Sequence, residues 1–147
     1  MLKKENNNIL GQILPFLFIV AIEWIFFISV WKNNRLIGDG IDGKLNTLFV
    51  EHWYQFFSGE EKATDVLQMF YPEENILARS DLMLGFAIPY SFLRLLGINM
   101  YAAFKYVLIG VHTLGSVFLY LFMEKHLHVS KIIALITVVG FSSGLSY

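Results

Sequence analysis

Apolar positions along the chain fall into long runs separated by one polar-rich region. Ile9 to Trp31 is a near-continuous apolar run of about 23 residues, enough to cross the roughly 30 Å hydrocarbon layer as a helix. Lys32 to Asn99 is a loop region of mixed character. Inside it Leu45, Leu48, Phe49, His52, Trp53, Phe56 and Phe57 recur at three-and-four spacing, with Lys44, Thr47, Glu51, Tyr54 and Gln55 off that stripe. This spacing predicts an amphipathic helix over 43–57 with Leu48, Phe49, Trp53 and Phe56 turned to lipid or protein. Leu82 to Leu96 is a second apolar run, with Ser80 or Asp81 as its N-cap, Pro89 and Arg94 inside, and Gly97 as its terminator. At about 15 residues it falls short of a full crossing, so it reads as a surface-lying or re-entrant helix. Asn99 caps a second span over 100–123, and a third apolar segment covers 131–147.

The first run also invites a signal-peptide reading, since Lys3 and Lys4 precede it. Its length exceeds an h-region of about 7–15 residues, and it closes on bulky Trp31-Lys32 where a cleavage site needs small residues. Pro15 sits in its first turns, where it is expected to kink the helix. The fold class expected is therefore all-α integral membrane: an N-terminal span, an external loop with interfacial amphipathic helices, a second span and a third, incomplete one. The abrupt ending in FSSGLSY suggests the N-terminal fragment of a larger polytopic chain. Lysines set the orientation by the positive-inside rule. Lys3 and Lys4 on one side, and Lys125 and Lys131 in the link after the second span, place the N-terminus in the cytoplasm and 32–99 outside. That pattern holds only if 82–96 does not cross.

Composition sharpens this. Of 147 residues, 56% are hydrophobic and only 16% charged, against about 25% charged in soluble domains. The net charge of −1 gives no electrostatic footprint for nucleic acid. With no cysteine there is no disulfide or thiolate metal site. The four histidines show no HxxxH or HExxH spacing, so no metal ligand set is assigned, and a divalent-cation requirement stays open.

Candidate chemistry gathers in the loop. Asp39 lies between Gly38 and Gly40, where a carboxylate on a permissive turn can act as general base or hold a cation. A turn aspartate bonding its own backbone is the plainer alternative. Asp42 is placed to cap the amphipathic helix. Glu51 and His52 are adjacent and point about 100° apart on a helix; they read either as a solvated acid and a packed imidazole, or as groups facing the same cleft as Asp39. Glu23, Lys105 and His112 lie inside spans, where ionisable side chains are costly and count as functional candidates. Counting depth from Trp31 and from Asn99 puts Glu23 about 12 Å and Lys105 about 9 Å in, against about 20 Å for His112. Glu23 is thus expected to pair with Lys105.

The ordered set GDG, then EHW about a dozen residues on, FYP, SDLMLGFAIPYSFLRLLG and AFKYV resembles the N-terminal part of bacterial YfhO-like proteins of the C-type (GT-C) membrane glycosyltransferase superfamily. The similarity runs from Ile9 to Tyr147. It implies that the first external loop carries a catalytic acidic residue, matched here by Asp39, beside interfacial helices matched by 45–57 and 82–96. It implies a sugar donor on a polyprenyl phosphate, with Glu51 and His52 matching the EH pair; Asp42, Tyr71 and Asp81 stand beside these as substrate-binding candidates. Superfamily members have many more spans, so this piece alone is not expected to be active. A non-enzymatic reading, a transporter piece or assembly partner working through Glu23, Lys105 and His112, stays open beside it.

Overall fold

The computed structural model describes residues 9–32, 41–61 and 82–144, and among them all regular structure is helical. The helices are α1 (Ile9–Lys32), α2 (Asp42–Ser58), α3 (Leu84–Leu95), α4 (Met100–Lys125) and α5 (Lys131–Ser143). The described residues fall into two compact units. One holds α1, α4 from Ile109 onward and α5; the other holds α2, α3 and α4 up to Leu108.

Helix ends follow local chemistry. Glycine closes α2 and α3 in the left-handed conformation, at Gly59 (φ +80°) and Gly97 (φ +83°). Gly59 N–H donates to the Phe56 carbonyl and Glu60 N–H to Gln55, and Gly97 and Ile98 repeat the arrangement on Arg94 and Leu93. Both are the paired backbone bonds that satisfy orphan carbonyls at a helix end. Asn99 Oδ1 accepts from Ala102 N–H at 2.9 Å and starts α4 as expected. Ser130 caps α5 by accepting from Ile133 N–H.

Two expected caps are corrected. Asp42 is the first residue of α2, with Ile41 as the N-cap, so its carboxylate works on the first-turn dipole. The helix expected over 82–96 starts only at Leu84, and its N-cap is Met83 at φ 48°, not Ser80 or Asp81. The Trp53 indole explains the late start: Nε1 donates to the Leu82 carbonyl at 2.7 Å and fixes that backbone against α2. Pro15 lies within α1, which continues through it as one helix of 24 residues.

Leu10–Ile28 of α1 and all of α4 are long and apolar enough to cross a membrane. In the most apolar 18-residue window of each, only 22% and 17% of the residues are buried inside the protein. Two threonine hydroxyls on the apolar helices bond their own helix: Thr113 donates to the Ile109 carbonyl and Thr137 to Ile133, each one turn back.

The α2/α3 unit packs Phe49, Val50 and Trp53 of α2 against Ala87 and Tyr90 of α3 and Ala103, Phe104 and Val107 of α4. The stripe read from spacing is only part of the buried surface of α2. Thr47 and Glu51, expected on its polar face, are buried, whereas Leu48 and Phe57 are exposed. The other unit closes around Ile19 of α1, Tyr120 of α4, and Ala134 and Val138 of α5. Ala87 has no exposed surface at the α2–α3 contact. Ala87→Leu is expected to destabilise the protein by about 1–3 kcal/mol through overpacking. Ile88→Leu, one residue along on the exposed side, should change stability by less than about 0.5 kcal/mol. Chemical unfolding in detergent, followed by helical circular dichroism, checks both.

Candidate functional site

Among the described residues each unit holds one buried carboxylate. In the α2/α3 unit it is Glu51, 9% exposed. Arg94 of α3 grips it with a two-pronged fork: Nε donates to Oε2 at 2.9 Å and Nη2 to Oε1 at 2.8 Å. The Tyr90 hydroxyl, one turn before Arg94, donates to Oε2 as well. Arg94 also donates from Nη1 to the Ile98 carbonyl at 2.8 Å and lies over the Tyr54 ring, 4.9 Å from its centroid. Bonding to Glu51 raises the Arg94 guanidinium above its already high ordinary value. Burial, then the bond to Glu51, pushes the Tyr90 hydroxyl well above its ordinary 10.0. Glu51 thus spends its lone pairs on two residues of α3, which suits a group that fixes α3 against α2 more than a free base.

His52 points elsewhere. It is 5% exposed, and its ring lies edge-on to Trp53 at 6.1 Å. Among the described residues its Nε2 has no hydrogen-bond partner, and neither has the buried Ser91 hydroxyl.

In the unit of α1, α4 and α5 the carboxylate is Glu23, with no exposed surface. Its Oε2 lies 2.6 Å from His112 Nδ1. Its Oε1 accepts from the Ser116 hydroxyl at 2.5 Å and from Ser142 at 2.7 Å. One helix brings the acid, a second brings His112 and Ser116 one turn apart, and the third brings Ser142. The Phe141 ring stacks on His112 at 5.0 Å, and Phe27 meets it edge-on at 5.5 Å.

This arrangement corrects the expected partner of Glu23, which is His112 and not Lys105. The depth count from Asn99 treats all of α4 as span. In the structure the first turns of α4 are spent in the core of the α2/α3 unit, through Ala103, Phe104 and Val107, and only from Ile109 does α4 belong with α1. Lys105 is 3% exposed and lies in those first turns.

Of the other sequence candidates, Asp39, Tyr71 and Asp81 lie outside the described residues. Asp42 is exposed in the first turn of α2. The residues missed by sequence reading are the partners, Tyr90 and Arg94 for Glu51 and Ser116 and Ser142 for Glu23. Spacing offered a signal, since Tyr90/Arg94 and His112/Ser116 are each four apart on one helix face. Among the described residues no three His, Cys, Asp or Glu side chains converge as metal ligands. No protein-family model, curated protein or solved structure matches the chain.

Tyr90 gives the network a pH signature. Folded and unfolded chains both keep its proton below the ordinary value of 10.0. Above it the unfolded chain releases the proton and the folded chain holds it, so stability falls as pH rises past that value. Tyr90→Phe should abolish this share of the alkaline loss while costing stability at neutral pH through the lost bond to Glu51. Unfolding midpoints measured across the alkaline range for both proteins check it.

Proposed function

We propose that the chain is the N-terminal part of a multi-pass cell-membrane glycosyltransferase that takes its sugar from a polyprenyl-phosphate donor at the outer face. One observation carries the reading. The region between the two long apolar helices contributes a compact helical unit, cross-linked by Glu51 and Arg94. Its first helix, α2, begins three residues after Asp39 in the chain. Such a unit follows directly, in chain order, the residue that the resemblance matches to the catalytic acid. The outer surface of α3 agrees with a position at the lipid boundary: Ile88, Phe92 and Leu95 recur at helical spacing and are 62%, 63% and 71% exposed. An apolar stripe left uncovered by the protein is the face that a helix lying in the membrane surface turns to lipid.

In this reading Asp39 removes the proton from an acceptor hydroxyl. The freed oxygen attacks the anomeric carbon, the sugar–phosphate bond breaks, and the polyprenyl phosphate leaves with the electron pair. Glu51 and Arg94 hold the unit in place and do not touch the reacting atoms. The bilayer, the lipid-linked sugar and the remainder of a larger polytopic chain are the partners.

The orientation that goes with this reading has a cytoplasmic N-terminus. The chain has no cysteine, so single cysteines report cleanly. Ser58 and Ser130 are both exposed, at the end of α2 and at the start of α5. In intact cells Ser58→Cys should react with a membrane-impermeant thiol reagent and Ser130→Cys should not; the reverse pattern excludes the proposed orientation.

A second reading, a non-enzymatic transporter piece or assembly partner, draws on the Glu23–His112 pair, because ionisable groups buried between apolar helices mark ion and proton paths. One comparison in the full-length protein separates the two. Asp39→Asn should abolish sugar transfer at normal expression if the enzyme reading holds. Full transfer by that variant, with loss of transport on Glu23→Gln, would favour the second.

A further inference from the structure

The Glu23–His112 pair has no part in the sugar-transfer reading, and its geometry points to a ligand of its own. Glu23 Oε2 lies 2.6 Å from His112 Nδ1, and Oε1 is met by two hydroxyls. A carboxylate so placed takes the hydrogen on Nδ1 and thereby fixes the tautomer, leaving the lone pair on Nε2. Nε2 is buried and, among the described residues, has no hydrogen-bond partner. Phe141 and Phe27 pack on the ring. The imidazole therefore keeps one uncommitted atom, and that atom is a base.

We propose that Glu23 and His112 form a proton-binding site, in which a proton added at His112 Nε2 makes an imidazolium whose charge is balanced by the Glu23 carboxylate across the existing Nδ1 contact. One N–H bond forms as an O–H bond of hydronium breaks and water is left behind, and the pair passes from net negative to neutral. Neutrality matters here because Glu23 has no exposed surface, and an isolated charge among apolar helices is costly. Among the described residues no further titratable group joins the pair. α1 adds Phe27, and α5 adds Ser142 and Phe141. On α4 Tyr120, Glu124 and Lys125 lie about two turns or more beyond His112. Lys131 of α5 pairs with Glu124 at 3.5 Å.

Proton loading reaches α5 through Ser142. Its hydroxyl has one hydrogen and two acceptors in range, Glu23 Oε1 at 2.7 Å and the Val138 carbonyl at 3.0 Å. The bare carboxylate holds that hydrogen most strongly. Once its charge is shared with an imidazolium, Val138 competes better, and the tie between α1 and α5 loosens.

The test uses the whole chain, labelled with ¹⁵N-histidine in lipid nanodiscs, with the His112 signals assigned by their loss in His112→Gln. On acidification His112 Nε2 should pass from the lone-pair form to the hydrogen-bearing form. In Glu23→Gln the amide oxygen keeps the two serine hydroxyls and the amide N–H donates to Nδ1, so Nε2 should carry the hydrogen throughout the series and show no transition. An Nε2 in one form throughout in the unaltered protein, or a transition indifferent to Glu23→Gln, overturns the site. Should Glu23→Gln fail to fold, Ser142→Ala decides. Removing one hydroxyl from the carboxylate should move the transition along the pH series, and an unchanged transition overturns the proposal. No sugar-transfer readout enters, so this result is independent of the outer-face reading.

Discussion

A carboxylate removed from water must be met by donors or the fold that buries it is unstable. This constraint organises both units of the protein. Around Glu51 the donors are a guanidinium fork and a phenol, all from α3. Around Glu23 they are an imidazole and two hydroxyls from α4 and α5. In each case one acid on an earlier helix fixes the rotation of the helices that follow, because the donors reach it only from one face. Apolar packing supplies the driving force, but it is non-directional; the carboxylates select the register in which it is used.

The two sites differ in what they leave uncommitted. Glu51 faces a permanent cation whose fork is matched to a carboxylate in shape. Arg94 is further tied to the Ile98 carbonyl and the Tyr54 ring. That arrangement is a fixed brace. Glu23 faces an imidazole, whose charge is variable and whose second nitrogen is unbonded among the described residues. One carboxylate serves rigidity and the other responds to its surroundings, a difference set by the partner and not by the acid.

Function follows the same division. The brace belongs to the unit whose α3 turns an apolar stripe outward. The responsive pair lies between helices that are long and apolar and mostly unburied by the protein itself. Self-satisfied hydroxyls such as Thr113 and Thr137 are consistent with surroundings that offer no water.

The sequence by itself determined the helices and some of their ends. Three-and-four spacing located α2, apolar length located α1 and α4, and Gly59, Gly97, Asn99 and Ser130 act through bonds to residues three to five positions away. Those are short-range effects, fixed by backbone sterics and by groups that are neighbours in the chain. The sequence also singled out Glu23, Glu51 and His112 as residues needing an explanation, since charge on or between apolar faces is visible in a string of letters. The tertiary structure alone decided which partners answer them. Arg94 lies 43 residues from Glu51, and Ser142 lies 119 residues from Glu23. Their meeting depends on how each helix is rotated and where along α4 the packing against α1 begins. Neither quantity is a property of local spacing. It arises when several helices bury their surfaces at once, which is why Thr47 and Glu51 went inside, Leu48 and Phe57 stayed out, and a depth count along one helix chose Lys105 where the packed structure chose His112.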